Sequence, residues 1–466
     1  MKDRLQILKH SGYLLAARLF SRLASLPFLL YAAATLGPSL FGIVAFVLAA
    51  VEMLTAAADM GLSRYSSRGM IRDGSRRGKI AGMTLSLQLM ASLLLVGVCL
   101  VAILAVSPAE PKREALLIGL AAVVLTPFIV TTDSMFTATR MFGASAIFSV
   151  TGRLIYVAAG FAALKLGYSV VAVLEAYLLG IGCECLFRMI YVLVKVDRIS
   201  FGFSVGQLLK FVRGTLPFAV TVVATMVYFR ADTLILEVFS GDEAVGIYNA
   251  AYSFFSFFVW VPIVVTRSLF PGLVSGYASD AREAEASNWF WYRAVGMAGV
   301  PVAFTMTMLA TPVFELLFPV SYSESAITLA VLMWSVPPMM MGSVGVGSLV
   351  AHGHERAVAI GSIATAVIIV LLDFILIPPF GVRGASWAMV VATGLWLILA
   401  HLLLRRYVLA PGQSFTGAFG TPLACGAVMA AAALAAINLG QGRYVALAAG
   451  LLAYGVALAA ARRVFR

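Results

Sequence analysis

The chain is 466 residues long, 62% hydrophobic and only 12% charged, with a mean hydropathy of +0.99. A soluble globular domain carries about 25% charged residues, so the composition excludes one and describes an all-α polytopic membrane protein. The net charge of +12 would suggest a nucleic-acid partner in a soluble chain. Here cytoplasmic loops enriched in Lys and Arg account for it, and no nucleic-acid motif is present.

The N-terminus, MKDRLQILKH, is basic and leads into an apolar run with no small-x-small cleavage site, so an uncleaved first span is expected. About 20 residues cross a bilayer. Apolar runs bounded by turn and charge signals predict about 14 transmembrane helices, at roughly 11–36, 40–59, 80–106, 114–139, 144–166, 170–194, 214–238, 246–272, 294–318, 326–350, 357–378, 384–404, 414–437 and 444–461. The break between the fourth and fifth rests on Arg140 and Gly143. Between the sixth and seventh, Val205, Leu208, Leu209 and Val212 fall at helical spacing, with Gln207, Lys210 and Arg213 opposite. This pattern predicts a short amphipathic helix on the inner membrane face.

Charge sets the topology. With an even number of spans both termini share a side, and that side collects Lys2, Arg4, Lys9, the cluster from Arg64 to Lys79, Arg140, Lys195, Arg198, Lys210, Arg213, Arg405, Arg406, Arg462 and Arg463. The other side holds Lys112, Arg113, Lys165, Arg383 and Arg443. The imbalance predicts cytoplasmic termini. Outer loops are too short for a catalytic domain, which argues against a glycan polymerase or ligase.

An internal repeat organises the chain. Gly37-Pro-Ser-Leu-Phe-Gly42-Ile43 has the same spacing as Gly241-Asp-Glu-Ala-Val-Gly246-Ile247, and Leu166-Gly167 before span six is echoed by Phe380-Gly381 before span twelve. Two six-helix lobes follow: residues 1–198 and 214–409, joined by the linker 199–213, with 410–466 adding two C-terminal helices. A repeat of this size in a hydrophobic chain is a transporter architecture.

Several motifs carry no chemistry. GSRRGKI at 74–80 has too few residues between its glycines for a phosphate loop and ends in Ile80 where Ser or Thr is needed. His352-Gly-His354 lacks a second ligand cluster, so no metal is expected. Cys99, Cys183, Cys185 and Cys425 all lie in apolar runs, so no disulfide framework is indicated. No cofactor and no enzymatic constellation are expected.

The functional signal is charge inside spans, which is costly in a bilayer and usually faces a bundle interior or a wet cavity. Arg18 and Arg22 share a face of span one; Arg153, Arg230 and Arg267 lie in spans five, seven and eight. Arginine forks match phosphate oxygens, so these five are candidate ligands for an anionic headgroup. Arg153 has a competing role, pairing with Asp133 or Glu52. Glu184 and Arg188 are a self-neutralising i, i+4 pair. Arg230 and Asp232 are about 200° apart around a helix and each needs another partner. Glu52, Asp133, Asp232 and Asp373 are candidate sites for a coupling H+ or Na+.

The segments LGPSLFGIVAF at 36–46, Asp59-Met-Gly-Leu62, Leu216-Pro217, Arg230-Ala-Asp232-Thr-Leu-Ile-Leu236 and Gly246-Ile-Tyr248-Asn-Ala-Ala251, in this order, resemble polysaccharide flippases of the multidrug/oligosaccharidyl-lipid/polysaccharide exporter superfamily. The resemblance spans essentially the whole chain. It implies two six-helix bundles in a V with two further helices. It also implies alternating access that carries a polyprenyl-diphosphate-linked oligosaccharide to the outer leaflet, with cavity cations holding the diphosphate. Implied partners are that lipid-linked substrate, membrane lipids, and a polysaccharide polymerase and glycosyltransferase complex. The alternatives are a lipid II flippase, also with fourteen spans, and a multidrug/cation antiporter, typically with twelve.

Overall fold

The structure is a computed structural model. It describes the backbone of residues 2–279, 281–408 and 415–464, and the side chains of these except 2–24, 217, 260–279, 281–288, 415–418 and 461–464. Thirteen α-helices and no strand occur among the described residues. They are α1 (Lys2–Asp59), α2 (Leu62–Arg72), α3 (Arg77–Val106), α4 (Lys112–Ala138), α5 (Phe142–Lys165), α6 (Val170–Lys195), α7 (Val205–Ser279), α8 (Ala281–Leu317), α9 (Ser323–Leu332), α10 (Val336–Ala351), α11 (Glu355–Tyr407), α12 (Phe415–Asn438) and α13 (Arg443–Val464). With no water to serve backbone groups in the hydrocarbon, a spanning segment satisfies them within itself, and the chain is helical accordingly.

Eleven segments among the described residues are long and apolar enough to cross a membrane. Three of them are two crossings each. α1 kinks at Gly37 (φ 74°, ψ 170°), α7 at Gly241 (φ 77°, ψ −178°) and α11 at Gly381 (φ 54°, ψ −128°). Positive φ is strained for residues with a Cβ, and glycine adopts it freely. Gly37 and Gly241 are the equivalent residues of the internal repeat, and their backbone angles nearly coincide. The sequence pattern therefore marks a repeated turn, and fourteen crossings result. Arg140, at φ 59°, forms the break between α4 and α5.

The described chain divides into two compact units, Met1–Asn249 and Ala250–Arg466. Compactness in one conformation is a different property from repeat descent, and the six-helix lobes concern the latter. In the first unit, α5 packs on both α1 and α6, and α4 on α6 and α3. Its core joins Phe28, Val44 and Val47 of α1 to Ala115 and Val123 of α4, Tyr156 of α5 and Leu174 of α6. In the second unit α8 is central, packing on α9, α10 and α12, while α12 pairs with α13. Val300 and Phe304 of α8 meet Met429 of α12 and Tyr454 of α13 there.

Turns that the charge pattern assigns to one side of the membrane do meet. The Ser200 amide donates to the Gly78 carbonyl at 3.0 Å, joining the α2–α3 and α6–α7 connections. On the other side, Lys112 bonds Glu237 and Asp242 beside the Gly241 turn. Each contact joins connections that the alternation assigns to the same side.

Two connections differ from expectation. The amphipathic stretch begins at Val205 and runs into span seven, with Gly214 retained inside the helix and the non-helical backbone placed at Gly241. Its Phe211 packs edge-on to Tyr65, with ring centroids 4.9 Å apart. Residues 61–79 are not a loop: α2 lies there. Gly61, left-handed at φ 73°, turns the chain, and Asp59 accepts from the Ser63 amide at 2.9 Å and the Ser63 hydroxyl at 2.8 Å. Asp59 also accepts from the Gln88 amide at 2.7 Å, and Gln88 accepts from Thr131 at 3.1 Å. Asp59 is thus a buried cap that fastens α2 to α3 and, through Gln88, to α4.

Candidate functional site

The charges inside the first unit sort by partner. Arg188 on α6 is 2% exposed and serves two carboxylates: Nε donates to Glu184 at 2.9 Å and one terminal nitrogen to Asp133 at 3.3 Å. Its other terminal nitrogen reaches the Ser145 carbonyl at 3.2 Å and the Ser149 hydroxyl at 2.6 Å, and Ser145 donates its hydroxyl to Asp133. α4, α5 and α6 are tied together there. The expected Glu184–Arg188 pair is present, and Asp133 joins it.

Arg230 on α7 donates through Nε to Glu52 on α1 at 2.6 Å; Arg230 is 18% exposed and Glu52 46%. Asp232, two residues on, faces elsewhere, as helical geometry requires. It is buried, accepts from the Thr233 amide at 2.6 Å and receives the Tyr248 hydroxyl. Asn249 donates to Thr233 at 3.5 Å and to the Val245 carbonyl at 3.0 Å. This network staples the two halves of α7 across the Gly241 kink.

Arg153, midway along α5, pairs with neither Asp133 nor Glu52, the two carboxylates foreseen for it. Both are engaged by other arginines. Among the described residues Arg153 makes no ion pair; its guanidinium lies 5.7 Å from the Tyr156 ring centroid. Arg153 and Glu52 are both within electrostatic reach of Tyr177 on α6. Glu52, Arg153, Tyr177 and Arg230 are therefore the candidate polar patch of the first unit. Tyr177 escaped sequence reading because a lone tyrosine in a span is usually packing.

The side chains of Arg18, Arg22 and Arg267 lie outside the described residues. Asp373 is fully buried on α11 in the second unit, away from the first unit's patch in sequence and element. His354 stacks on Tyr407 with centroids 4.2 Å apart, and the His352 ring nitrogen contacts the Ser348 carbonyl at 2.8 Å. No group of three metal-ligating side chains occurs among the described residues.

A separate cavity of about 330 Å³ lies among α1, α3 and α4. Its walls are apolar apart from Lys112 and Glu237, and Lys112 is already paired. It lacks the cationic lining that a charged headgroup requires.

Solved transporter structures share this fold. A lipid II flippase, MurJ, in an inward closed conformation matches with a TM-score of 0.76 at 14% identity, covering 97% of this chain and 99% of that one. An inward-facing multidrug resistance MATE family transporter matches at 0.69 and 17% identity, covering 83% and 94%. A superfamily transporter from Pyrococcus furiosus, described as having a binding pocket of reverse polarity, matches at 0.59 and 18%, covering 86% and 95%. At these identities the likeness is one of fold. No curated protein sequence matches significantly. The chain matches the family of polysaccharide biosynthesis proteins over residues 7–277 and belongs to it.

Proposed function

We propose that this protein flips a polyprenyl-diphosphate-linked oligosaccharide from the cytoplasmic to the outer leaflet by alternating access between repeat-related lobes, without enzymatic chemistry. The observation that carries the reading is Arg153: a mid-span arginine with no carboxylate on it among the described residues, in the same unit as Arg230, which pairs with a half-exposed glutamate. An intramembrane cation is costly unless neutralised, and a diphosphate neutralises it with bidentate, charge-assisted bonds. Arg230 joins when the diphosphate displaces Glu52. Arg18 and Arg22, on one face of span one, extend the same anion path.

Glu52 is then the coupling carboxylate of choice: it is half-exposed, and substrate arrival takes Arg230 from it. Asp133 is committed to Arg188 and Asp232 to the α7 staple. The inner-membrane location, cytoplasmic termini and a partnership with polymerase and glycosyltransferases follow the charge pattern and the family.

Arg153→Ala is expected to lower headgroup affinity about 10- to 100-fold, the worth of a hydrogen bond to a charged group. Arg153→Lys is expected to retain part of it. Surface glycan in a flippase-deficient strain and binding of a purified polyprenyl-diphosphate-sugar measure this. Wild-type export and affinity in Arg153→Ala would refute the site. A lipid II flippase is the second reading, favoured by the near-complete mutual coverage with MurJ; both cargoes share the diphosphate, and competition between the two lipids for the purified protein separates them.

A further inference from the structure

The two copies of the G-x₄-G turn lie against each other. A Cβ built on Gly42 would collide with the carbonyl oxygen of Asp242, and one built on Gly246 would collide with the carbonyl oxygen of Pro38. The copies are offset by 204 residues, so Pro38 corresponds to Asp242 and Gly42 to Gly246. The two collisions are therefore the same contact made reciprocally, as across a local two-fold axis. Each glycine hydrogen points at a carbonyl, the Cα–H···O geometry that recurs where helices pack closely.

The contact sits beside a lysine that bridges two carboxylates. Lys112, at the start of α4, bonds Asp242 at 2.7 Å and also Glu237. These carboxylates flank the Gly241 kink, one on each half of α7. Lys112 thus fixes the kink angle and the second copy of the turn together.

We infer that the repeated turn is a latch made of the chain docking on its own copy, closed by the Gly42 and Gly246 backbones and clasped by Lys112. At the contact itself backbone meets backbone, and each Cα–H···O contact is worth only about 0.5–1 kcal/mol. A contact of two glycines, flanked by two equivalent glycine kinks and clasped by a lysine at the surface end of α4, is suited to repeated release. The latch deepens the flippase reading, in which its release opens the outer side.

The test uses a chain with Cys99, Cys183, Cys185 and Cys425 replaced and Ser39→Cys with Glu243→Cys introduced, equivalent exposed positions next to the contact. A thiol-bridging reagent is applied to the purified, cargo-free protein. Lys112→Met is expected to slow bridging about tenfold, as loss of roughly 1.4 kcal/mol of closed-state preference would. Gly42→Ala is expected to slow it further, and Lys112→Arg to preserve it. In cells, bridging is expected to stop glycan export and reduction to restore it. Equal bridging rates in Lys112→Met, Gly42→Ala and the parent overturn the latch, as does undiminished export by the bridged protein. The bridging rate needs no cargo, so it stands or falls separately from the choice of substrate.

Discussion

Arg188→Leu tests the account of charge inside the first unit. The substitution keeps an apolar side chain of moderate length and removes the guanidinium that Asp133, Glu184, Ser145 and Ser149 share, leaving the two carboxylates only their serine hydroxyl donors. Breaking a buried ion pair on one side typically costs about 3–5 kcal/mol, because the surviving charge is left uncompensated. Asp133 is 39% exposed and Glu184 15%, so solvent relieves part of the penalty and about 3 kcal/mol is expected. Thermal unfolding of the detergent-solubilised protein, followed by size-exclusion chromatography after heating, reads the change. The cause is separable from simple loss of packing. Adding Asp133→Asn and Glu184→Gln removes the orphaned charges, so the triple variant is expected to recover most of the stability. Such recovery is a coupling between contacting residues that single variants cannot show. If Arg188→Leu melts with the parent, or if the triple variant is no better than the single one, the network is not what holds α4, α5 and α6 together.

Tyr248→Phe removes the hydroxyl that donates to Asp232 and is expected to destabilise the α7 kink by about 1–3 kcal/mol; hydrogen exchange across residues 241–249 should rise, and unchanged exchange would refute the staple. Asp59→Ala deletes the α2 cap and orphans the Gln88 amide, together about 2–4 kcal/mol. Trypsin should then cut at Arg64, Arg68 or Arg72 faster than in the parent, while equal cutting rates would show that α2 does not depend on Asp59.

The spans were legible because bilayer length and apolar runs leave little choice, and the kinks because Gly37, Gly241 and Gly381 each stand where only glycine is unstrained. α2 was legible in principle as well. Leu62, Ser66 and Met70 recur every four residues and are its buried face, with Arg64, Arg68 and Arg72 offset from them, but the density of arginines there reads as a solvated connection. Partner choice was not legible. Glu184 and Arg188 are neighbours on one helix, so local spacing revealed them. Arg230 and Glu52 are 178 residues apart and Arg188 and Asp133 are 55 apart. Which carboxylate meets which arginine depends on the rotation of each helix in the bundle, and an apolar span carries almost no periodic signal to set that rotation. The reciprocal Gly42 and Gly246 contact was missed for the same reason: the repeat was visible, but sequence does not say that the copies touch each other.

The sorting of arginines by partner bears on how a carrier can both bind and release. Arg188 carries two carboxylates and is locked. Arg153 carries none among the described residues and is available from the start. Arg230 is intermediate, paired with the half-exposed Glu52. An ion pair with a partner as exposed as Glu52 is worth about 0–1 kcal/mol, whereas a bidentate arginine–phosphate contact is stronger and geometrically specific. On the proposed reading, a diphosphate arriving at Arg153 draws Arg230 from Glu52 at small expense, and Glu52 takes Arg230 back when the cargo leaves. Arginines with no carboxylate on them would hold a diphosphate too tightly to let go, and locked ones such as Arg188 would not bind it; the proposed site stands between those limits.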